Sequence, residues 1–375
     1  MKNLFKYASL LLAAVMLSAC GEENKEGGNE GVDDKEFYMV TDKDVIQSDG
    51  TDAATIRVFL GEEDVTALAT IYDEDDNEIN IDGGLFTATQ DGEYKFWAAY
   101  GAYMTYDTKK DDNGLLTIRS ISKAVPAVAE DPAPSNTSFV HRSFLIQYTG
   151  IQCGYCPYMI KIIKEMFADN TIPDKAVLAA VHSYQNGDPA YISAPAVNSY
   201  PYMHVNLTTG FTPDAGSAVL YSLVNSDVAA DAAAGISVNP ILYEEDQLLV
   251  VRVSVKAAEE GDYRVGAWLL EDNITGQQAD YTGLKDDSFN THENCVRRVD
   301  ARYDGEWAGK PLGTIKAGKT VEKTFVMDLK LTGSKAWNLE ELHLAVVVAK
   351  EGKGAYTACN AVDVTLDAPT PFQYK

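Results

Sequence analysis

The chain has 375 residues, with 56 Asp and Glu against 31 Lys and Arg, and a formal net charge of −25 at pH 7. So acidic a surface argues against nucleic-acid binding and against electrostatic binding to anionic lipid headgroups. Hydrophobic residues make up 46% of the chain, which is enough for packed cores, and the length predicts two or three domains.

The N-terminus predicts a secretory signal peptide at residues 1–19. Lys2 and Lys6 precede an apolar run at 7–16, which is too short to span a bilayer, and the tetrapeptide Leu-Ser-Ala-Cys ends at Cys20. This tetrapeptide resembles a bacterial lipobox, and the resemblance implies cleavage before Cys20 and a lipid on its sulfur. More than one acyl chain would make the anchoring effectively permanent. The alternative is a secreted protein in which Cys20 merely lies near the cleavage site.

Residues 20–36 read as an acidic tether. The stretch 21–50 carries ten acidic side chains against three lysines, and glycines are frequent in its first part. Such a composition cannot bury a core, so a solvated tether is expected as far as about residue 36.

Residues 37–122 predict a first compact unit made of short strands. The segments 55–60 and 93–98 alternate polar and apolar residues, and Gly- and Asp-containing turn signals separate them. This pattern is typical of a β-sandwich. The stretch resembles bacterial immunoglobulin-like repeats, with Tyr94 at the corner where such domains place a tyrosine. The resemblance implies a spacer that lifts the next domain off the membrane.

Residues 123–138 predict a linker. They contain Pro126, Pro132 and Pro134, which favour an extended and stiff backbone. The linker separates the first unit from the segment that carries the most chemistry.

That segment contains Cys153 and Cys156 in a CxxC motif. A buried strand precedes the motif, and an amphipathic helix follows it, with apolar positions at Ile160, Ile163, Met166 and Phe167. A cysteine at a helix N-terminus is a poised thiolate, with a pKa lowered from about 8.5 to roughly 3.5–7.5. The motif therefore predicts a redox-active dithiol.

Other interpretations of the motif are a structural disulfide and a metal site. Zinc requires four ligands, and no second CxxC or His pair follows at metal spacing. Covalent haem attachment requires CxxCH, and Pro157 stands at the His position. We expect no metal and no cofactor.

The surrounding pattern resembles a thioredoxin fold over residues 139–235. A second strand at 176–181, a third at 202–206 and a closing helix at 217–234 follow the motif. The resemblance implies catalytic roles for the two cysteines and a cis-proline at Pro201 that shapes the substrate groove. Gly154-Tyr155 between the cysteines is similar to the dipeptide of bacterial periplasmic disulfide isomerases.

Three residues depart from the thioredoxin pattern. Gln147 stands where thioredoxin-like enzymes usually have a buried carboxylate, Gln152 where an aromatic often precedes the first cysteine, and bulky Tyr200 precedes the proline. These departures favour slow or specialised exchange. His182, at the end of the second strand, is a candidate for contact with Cys153 or, alternatively, a solvated histidine.

Residues 236–375 predict a C-terminal β-sandwich, with strands at 248–255, 263–270 and 342–349. The run Thr-Gly-x-x-Cys-Gly-x-Cys-Pro, with the elements His-Glu-Asn-Cys-Val-Arg-Arg and Cys-Asn-Ala-Val-Asp-Val, resembles the Bacteroidota outer-membrane lipoprotein family related to a 28-kDa outer-membrane protein. The resemblance covers about residues 139–375 and implies an outer-membrane location. In that phylum, acidic residues after the lipidated cysteine are associated with export to the outer face; a spacer without an address is the alternative.

Cys295 and Cys359 remain once Cys20 and the CxxC pair are set aside. Each lies on a predicted strand, and we expect a structural disulfide between neighbouring strands, or alternatively two separate buried thiols. Closing so long a loop would contribute about 4 kcal/mol in the chain-entropy model.

The sequence thus predicts a multidomain, lipid-anchored envelope protein: an immunoglobulin-like β-sandwich, an α/β thioredoxin-like unit and a C-terminal β-sandwich. The expected function is thiol–disulfide exchange with protein thiols or disulfides of the envelope, with the membrane as a partner through the lipid and no nucleic acid. The alternative is a non-catalytic binding or structural lipoprotein that uses the thioredoxin fold as a scaffold.

Overall fold

The computed structural model describes residues 36–105, 115–169, 172, 174–300, 307, 309–329 and 337–375. The predicted signal peptide, Cys20 and all but the last residue of the predicted tether lie outside these residues. Lipidation of Cys20 therefore stays a prediction.

The described part is mostly β-structure arranged in several sheets, with two α-helices among the described residues. Its first nine strands are β1 (Phe37–Thr41), β2 (Val45–Gln47), β3 (Ala53–Leu60), β4 (Glu63–Asp64), β5 (Thr70–Asp73), β6 (Leu85–Thr87), β7 (Gly92–Tyr100), β8 (Tyr103–Met104) and β9 (Leu116–Ile121). One sheet has the order β1-β3-β4, with β6 also pairing with β3. The other has the order β2-β9-β7-β5, with β8 on β7.

These two sheets share one hydrophobic cluster, to which β3 contributes Ala54, Ile56 and Val58 at every second position. On the other face of β7, Trp97 stacks on Tyr72 with ring centroids 4.3 Å apart. The Tyr94 hydroxyl donates to the carbonyl of Gln90 at 3.2 Å. The strands predicted at 55–60 and 93–98 are confirmed, whereas the immunoglobulin-like arrangement stays a prediction.

The middle of the chain contains β10 (Ser143–Thr149), α1 (Cys156–Ala168), β11 (Ala176–His182), β12 (Tyr202–Val205), β13 (Thr209–Phe211) and α2 (Ser217–Val228). The strand order is β13-β12-β10-β11. β10 is parallel to β11 and antiparallel to β12. Every residue of β10 and β11 is buried, because both faces of these two strands are covered.

The two helices cover one face of this part of the sheet. Helix α1 buries Met159, Ile163 and Met166 in the same hydrophobic cluster as residues of β10, β11, β12 and α2. Of the expected apolar stripe, Ile160 and Phe167 are only half-buried. The closing helix predicted as far as residue 234 ends at Val228, because the chain turns into a strand that starts at 234 and pairs with the following strand.

The remaining strands are β14 (Ala234–Tyr243), β15 (Leu248–Ala257), β16 (Gly261–Glu271), β17 (Ile274–Thr275), β18 (Thr291–His292), β19 (Cys295–Asp300), β20 (Lys310–Ile315), β21 (Thr320–Asp328), β22 (Leu342–Gly352) and β23 (Ala355–Thr365). The three strands predicted in this region are confirmed as β15, β16 and β22. Strands β14, β15 and β21 form a separate sheet, and β17 pairs with β18.

The other C-terminal strands continue the central sheet, whose order is β13-β12-β10-β11-β19-β16-β22-β23 with β20 pairing with β16. Ala180 of β11 pairs with Cys295 of β19. One cluster contains Phe144 and Trp268, whose ring centroids are 5.2 Å apart. The boundary predicted at residue 235 therefore divides strands that share a sheet and a core.

The segment 123–138 packs along the β14-β15-β21 sheet. Tyr243 donates its hydroxyl to the carbonyl of Ala124 at 2.8 Å, and Asn239 donates to that of Ala127 at 2.8 Å. Farther along, Lys256 Nζ donates to the carbonyl of Pro134 at 2.6 Å. These contacts fix the expected linker to the body of the protein.

Candidate disulfide site at the end of the central strand

Cys153 and Cys156 form a disulfide in the turn between β10 and α1, with their Cα atoms 5.3 Å apart. Helix α1 starts at Cys156, and Pro157 occupies its first turn, where a missing N–H costs nothing. The sulfur atoms thus lie at the positive end of the helix dipole, where a thiolate formed on reduction would be stabilised.

Three strand ends meet beside this turn. Thr149, the last residue of β10, pairs with His182, the last residue of β11. Tyr148 pairs with Tyr202, the first residue of β12. Pro201 is buried directly before β12, and its peptide bond with the preceding residue is cis, as the resemblance implied. The two cysteines and the proline therefore lie at one edge of the sheet.

Both cysteines are buried. The exposed fraction is 3% for Cys153 and 0% for Cys156. Gln278, itself 7% exposed, reaches the turn from the C-terminal half and donates Nε2 to the carbonyl of Cys153 at 2.9 Å. The sequence held no signal for this contact, because the two residues are 125 positions apart.

Gln147, which stands where thioredoxin-like enzymes usually have a carboxylate, lines a cavity under helix α1. Gln147 is 5% exposed. Its Nε2 and Thr149 Oγ1 have no hydrogen-bond partner among the described residues. The cavity has a volume of about 180 Å³, and Gln147, Thr149, His182 and His292 contribute to its lining. Gln147 cannot accept a proton at physiological pH, so it offers no general base on this side of the turn.

Asp188 is the residue that holds the CxxC turn against the sheet. Its side chain is fully buried, and Oδ2 accepts from Ile151 N–H at 2.7 Å and from His182 Nδ1 at 2.9 Å. Oδ1 accepts from Ala190 N–H at 2.8 Å. Burial alone would raise the pKa of this carboxyl, but the His182 and main-chain hydrogen bonds outweigh it and the pKa is lowered. Asp188 could not be identified from the sequence, because it lies in a loop without periodicity.

His182 lies in the interior and does not fit either expectation for it. It is 1% exposed. Nδ1 contacts Asp188, and Nε2 is 3.6 Å from Cys295 Sγ. Both ring nitrogens thus have partners other than Cys153. Burial, reinforced by the charge of Asp188, raises the pKa of the Cys295 thiol well above its usual value.

The predicted disulfide between Cys295 and Cys359 is wrong, because both cysteines are free. Their strands, β19 and β23, are separated by β16 and β22 in the sheet. At about 4.8 Å per strand, β19 and β23 alone lie on the order of 14 Å apart, so the two cysteines are at least that far from each other and beyond the reach of a disulfide. Cys295 is buried and Cys359 is half-buried, so the two thiols are separate, as in the alternative, but only Cys295 is fully buried. Desolvation at its position raises the pKa of Cys359 to about 12.

The cluster around His182 predicts a pH dependence of stability. Burial, together with the nearby ring of His182, lowers the pKa of His292 from 6.5 to about 4. Between these pH values His292 is protonated in the unfolded chain but neutral in the folded chain. Acidification through this range should therefore lower the free energy of unfolding by about 3 kcal/mol. His292→Gln should flatten this part of the profile, measured by urea unfolding at successive pH values. Equal slopes for the variant and the parent protein would contradict the assignment.

Among the described residues, no group of three His, Cys, Asp or Glu side chains has an arrangement suited to a metal ion. Neither helix in the described ranges has the length and apolar character needed to cross a bilayer.

The fold and the site define a mostly β, multi-sheet protein with a buried CxxC disulfide. Residues 189–370, just under half of the chain, match the family model described as outer membrane protein Omp28. The match supports a relationship to an outer-membrane protein family, and the expected outer-membrane location agrees with the description of that family. The matched segment does not include the CxxC turn. No curated protein matches the chain in sequence.

Solved structures give only distant likenesses. HBP35 of Porphyromonas gingivalis is 17% identical, covers 63% of this chain and 78% of its own, and has a TM-score of 0.48. A domain of the outer membrane lipoprotein Omp28 from P. gingivalis is 14% identical over 36% of this chain and 88% of its own, with a TM-score of 0.25. Spo0M, a sporulation control protein from Bacillus subtilis, is 14% identical over 38% and 50%, with a TM-score of 0.21. None of these scores assigns the fold.

Proposed function

We propose that this outer-membrane protein is a lipoprotein that exchanges thiols and disulfides with envelope or extracellular proteins through Cys153 and Cys156. The observation that carries the proposal is the disulfide between these cysteines at the start of helix α1. A dithiol in this position combines a stabilised thiolate with a resolving thiol within reach of it.

The proposal includes a thioredoxin-like architecture for residues 139–235. Its support is the strand order β13-β12-β10-β11 with a parallel β10–β11 pair, the two helices on one face, and Pro201 directly before β12. Gln147 remains the main departure from that pattern, because it provides no carboxylate for the proton of the resolving thiol.

In the reducing direction, the Cys153 thiolate attacks one sulfur of a partner disulfide and forms a mixed disulfide. The other partner sulfur leaves as a thiolate and takes up a proton. The Cys156 thiolate then attacks Cys153 Sγ, the Cys153–Cys156 bond forms, and the partner departs as a dithiol with two added electrons. In the oxidising direction the same steps run in reverse, and a second thiol or disulfide of the envelope resets the pair.

Cys156→Ser should trap the mixed disulfide, because Cys153 is then left without its resolving thiol. We expect covalent adducts with envelope proteins on non-reducing gels of the variant expressed in a Bacteroidota host, with dithiothreitol releasing the partners. The variant is made with Cys295→Ala and Cys359→Ala so that any adduct comes from Cys153.

The matched control adds Cys153→Ser to the same background and should show no adducts. Equal adduct patterns in the two strains, or none in either, would contradict exchange.

The second candidate is a non-catalytic surface lipoprotein in which the CxxC bridge is structural. The burial of both cysteines, at 3% and 0% exposure, favours this candidate. It predicts that replacing both cysteines by serine lowers the free energy of unfolding. It also predicts that no covalent adducts form through Cys153 in the trapping experiment.

A further inference from the structure

A segment of the C-terminal half closes over the CxxC turn. We call residues 276–283 the strap; it follows β17. Ala279 N–H donates to the carbonyl of Ile151 at 2.7 Å, and Tyr281 N–H donates to the carbonyl of Gly154 at 2.8 Å. Donors two residues apart lie on one side of an extended chain, and here they meet two carbonyls of a turn. The strap therefore binds the turn through its backbone.

The side chain of Gln278 adds a buried polar contact between these two backbone bonds. Its Nε2 lies 3.4 Å from the carbonyl oxygen of Gly150, 3.3 Å from that of Ile151 and 2.9 Å from that of Cys153. This buried amide links the strap to three carbonyl oxygens of the turn, each of which also accepts a main-chain N–H. Losing the amide therefore removes a second donor from these oxygens and weakens the attachment of the strap.

The ring of Tyr281 lies directly on the residue between the cysteines. A Cβ added at Gly154 would be only 2.2 Å from a carbon of that ring. The ring also meets Tyr155 edge to face, with centroids 5.9 Å apart. Even so, Tyr281 is 72% exposed. Because the ring contacts the protein on one side only, it can move away from the turn without exposing buried apolar residues.

We propose that the strap is an internal occupant of the site where an extended segment of a partner polypeptide binds, and that it must move away before Cys153 can react. This inference rests on the proposed function and adds the class of partner and the step that controls access. The carbonyls of Ile151 and Gly154 would accept N–H groups of a partner main chain as they accept those of the strap. Recognition by backbone bonds does not depend on the partner's sequence.

The surface around the turn suits such a partner. Tyr155, Tyr158 and Tyr184 are between 45% and 58% exposed. Tyr155 lies in the turn, and Tyr158 is in the first turn of α1. Tyr184 Cβ would be 2.8 Å from a Cβ added at Gly150. Tyrosines bury large areas at low entropic cost, and they are enriched at sites that bind polypeptides.

Access is tested by the rate at which tris(2-carboxyethyl)phosphine reduces the Cys153–Cys156 disulfide of the otherwise native protein. Gln278→Ala and Tyr281→Ala should each increase this rate by about tenfold, because they weaken the closed state without touching the cysteines. The neighbouring exposed Gln277 and the exposed Tyr191 provide matched controls: Gln277→Ala and Tyr191→Ala should leave the rate unchanged.

Local opening is separated from general unfolding by the buried thiol of Cys295, which a maleimide can label only when the core opens. The proposal requires faster reduction with unchanged labelling of Cys295. It is overturned if neither strap variant reduces faster than the parent, or if reduction and labelling accelerate together in both. The phosphine needs no protein partner, so this result does not depend on whether cells yield trapped adducts.

The partner class is tested with reduced Cys156→Ser protein, loaded at Cys153 through an activated disulfide with either glutathione or an unstructured ten-residue cysteine peptide. Hydrogen exchange then reports on the amides of Ala279 and Tyr281. The peptide adduct should lose their protection, and the glutathione adduct should lose less. Equal protection in the two adducts would overturn the assignment of an extended polypeptide as the occupant.

Discussion

Asp188→Ala is expected to lower the free energy of unfolding by about 3–5 kcal/mol, because it removes a buried carboxylate on which three donors depend. The side chain is fully buried and accepts from Ile151 N–H, His182 and Ala190 N–H. Its loss leaves these three donors without their acceptor in the interior. Urea unfolding followed by tryptophan fluorescence measures the change, since Trp268 is 1% exposed and reports on the same sheet.

The size of this effect should depend on the acceptor and on pH. Asp188→Asn keeps one acceptor oxygen and should cost less than the alanine variant, whereas Asp214→Ala, at an exposed position, should change stability by less than about 0.5 kcal/mol. Because the folded-state pKa of Asp188 is lowered, its contribution is present above the usual value of 3.8 and is lost as the pH falls through the folded value. A loss under about 1 kcal/mol in the alanine variant at pH 7 would contradict the role assigned here.

Lys256→Met should have an effect of similar size, about 3–5 kcal/mol, at the attachment of the segment 123–138. Lys256 is 2% exposed, and its Nζ donates to Asp131 Oδ2 at 3.0 Å, to the Pro134 carbonyl at 2.6 Å and to the Tyr374 hydroxyl at 3.2 Å. Methionine keeps most of the apolar stem, so the loss isolates the ammonium group. Urea unfolding gives the free energy, and limited proteolysis within 123–138 shows whether the segment detaches.

Two controls test whether the buried charge of Lys256 causes the effect. Lys161 is 47% exposed in its pair with Glu165, and Lys161→Met should lower the free energy of unfolding by less than about 0.5 kcal/mol. Adding Asp131→Asn to Lys256→Met should cost less than the sum of the two single changes, because the carboxylate is then no longer left without its cation. Strict additivity would mean that the two charges do not act as a pair.

Much of the local structure could be predicted because it depends on neighbours in sequence. Continuous apolar runs identified β11 and β22, and the CxxC motif with a following helical pattern placed the disulfide and α1. Each of these features is encoded within about twenty residues, which is the range over which periodicity and turn signals act. Pro201, in contrast, was placed before its strand by the resemblance to the thioredoxin pattern.

The arrangement of distant segments could not be read in the same way. Cys295 and Cys359 both lie on strands, but the sheet order places two strands between them, and nothing in the local pattern fixes that order. Gln278 and Asp188 come from loops. Gln278 meets the turn only when the C-terminal strands are placed beside β11, and Asp188 meets it only when its loop folds back onto the end of β10. Contacts between such distant side chains can therefore be identified only when the strand order is known.

The middle and C-terminal strands share one sheet, and this limits which segments of the chain can be inherited separately. The matched segment 189–370 starts after β11, so it includes β12 and β19 but neither β10 nor β11, the strands that pair with them. A gene that kept only this segment would encode a protein with two unpaired strand edges and an uncovered Trp268. We therefore expect a protein that contains this segment to contain also two strands, or other structure of similar shape, that cover these edges.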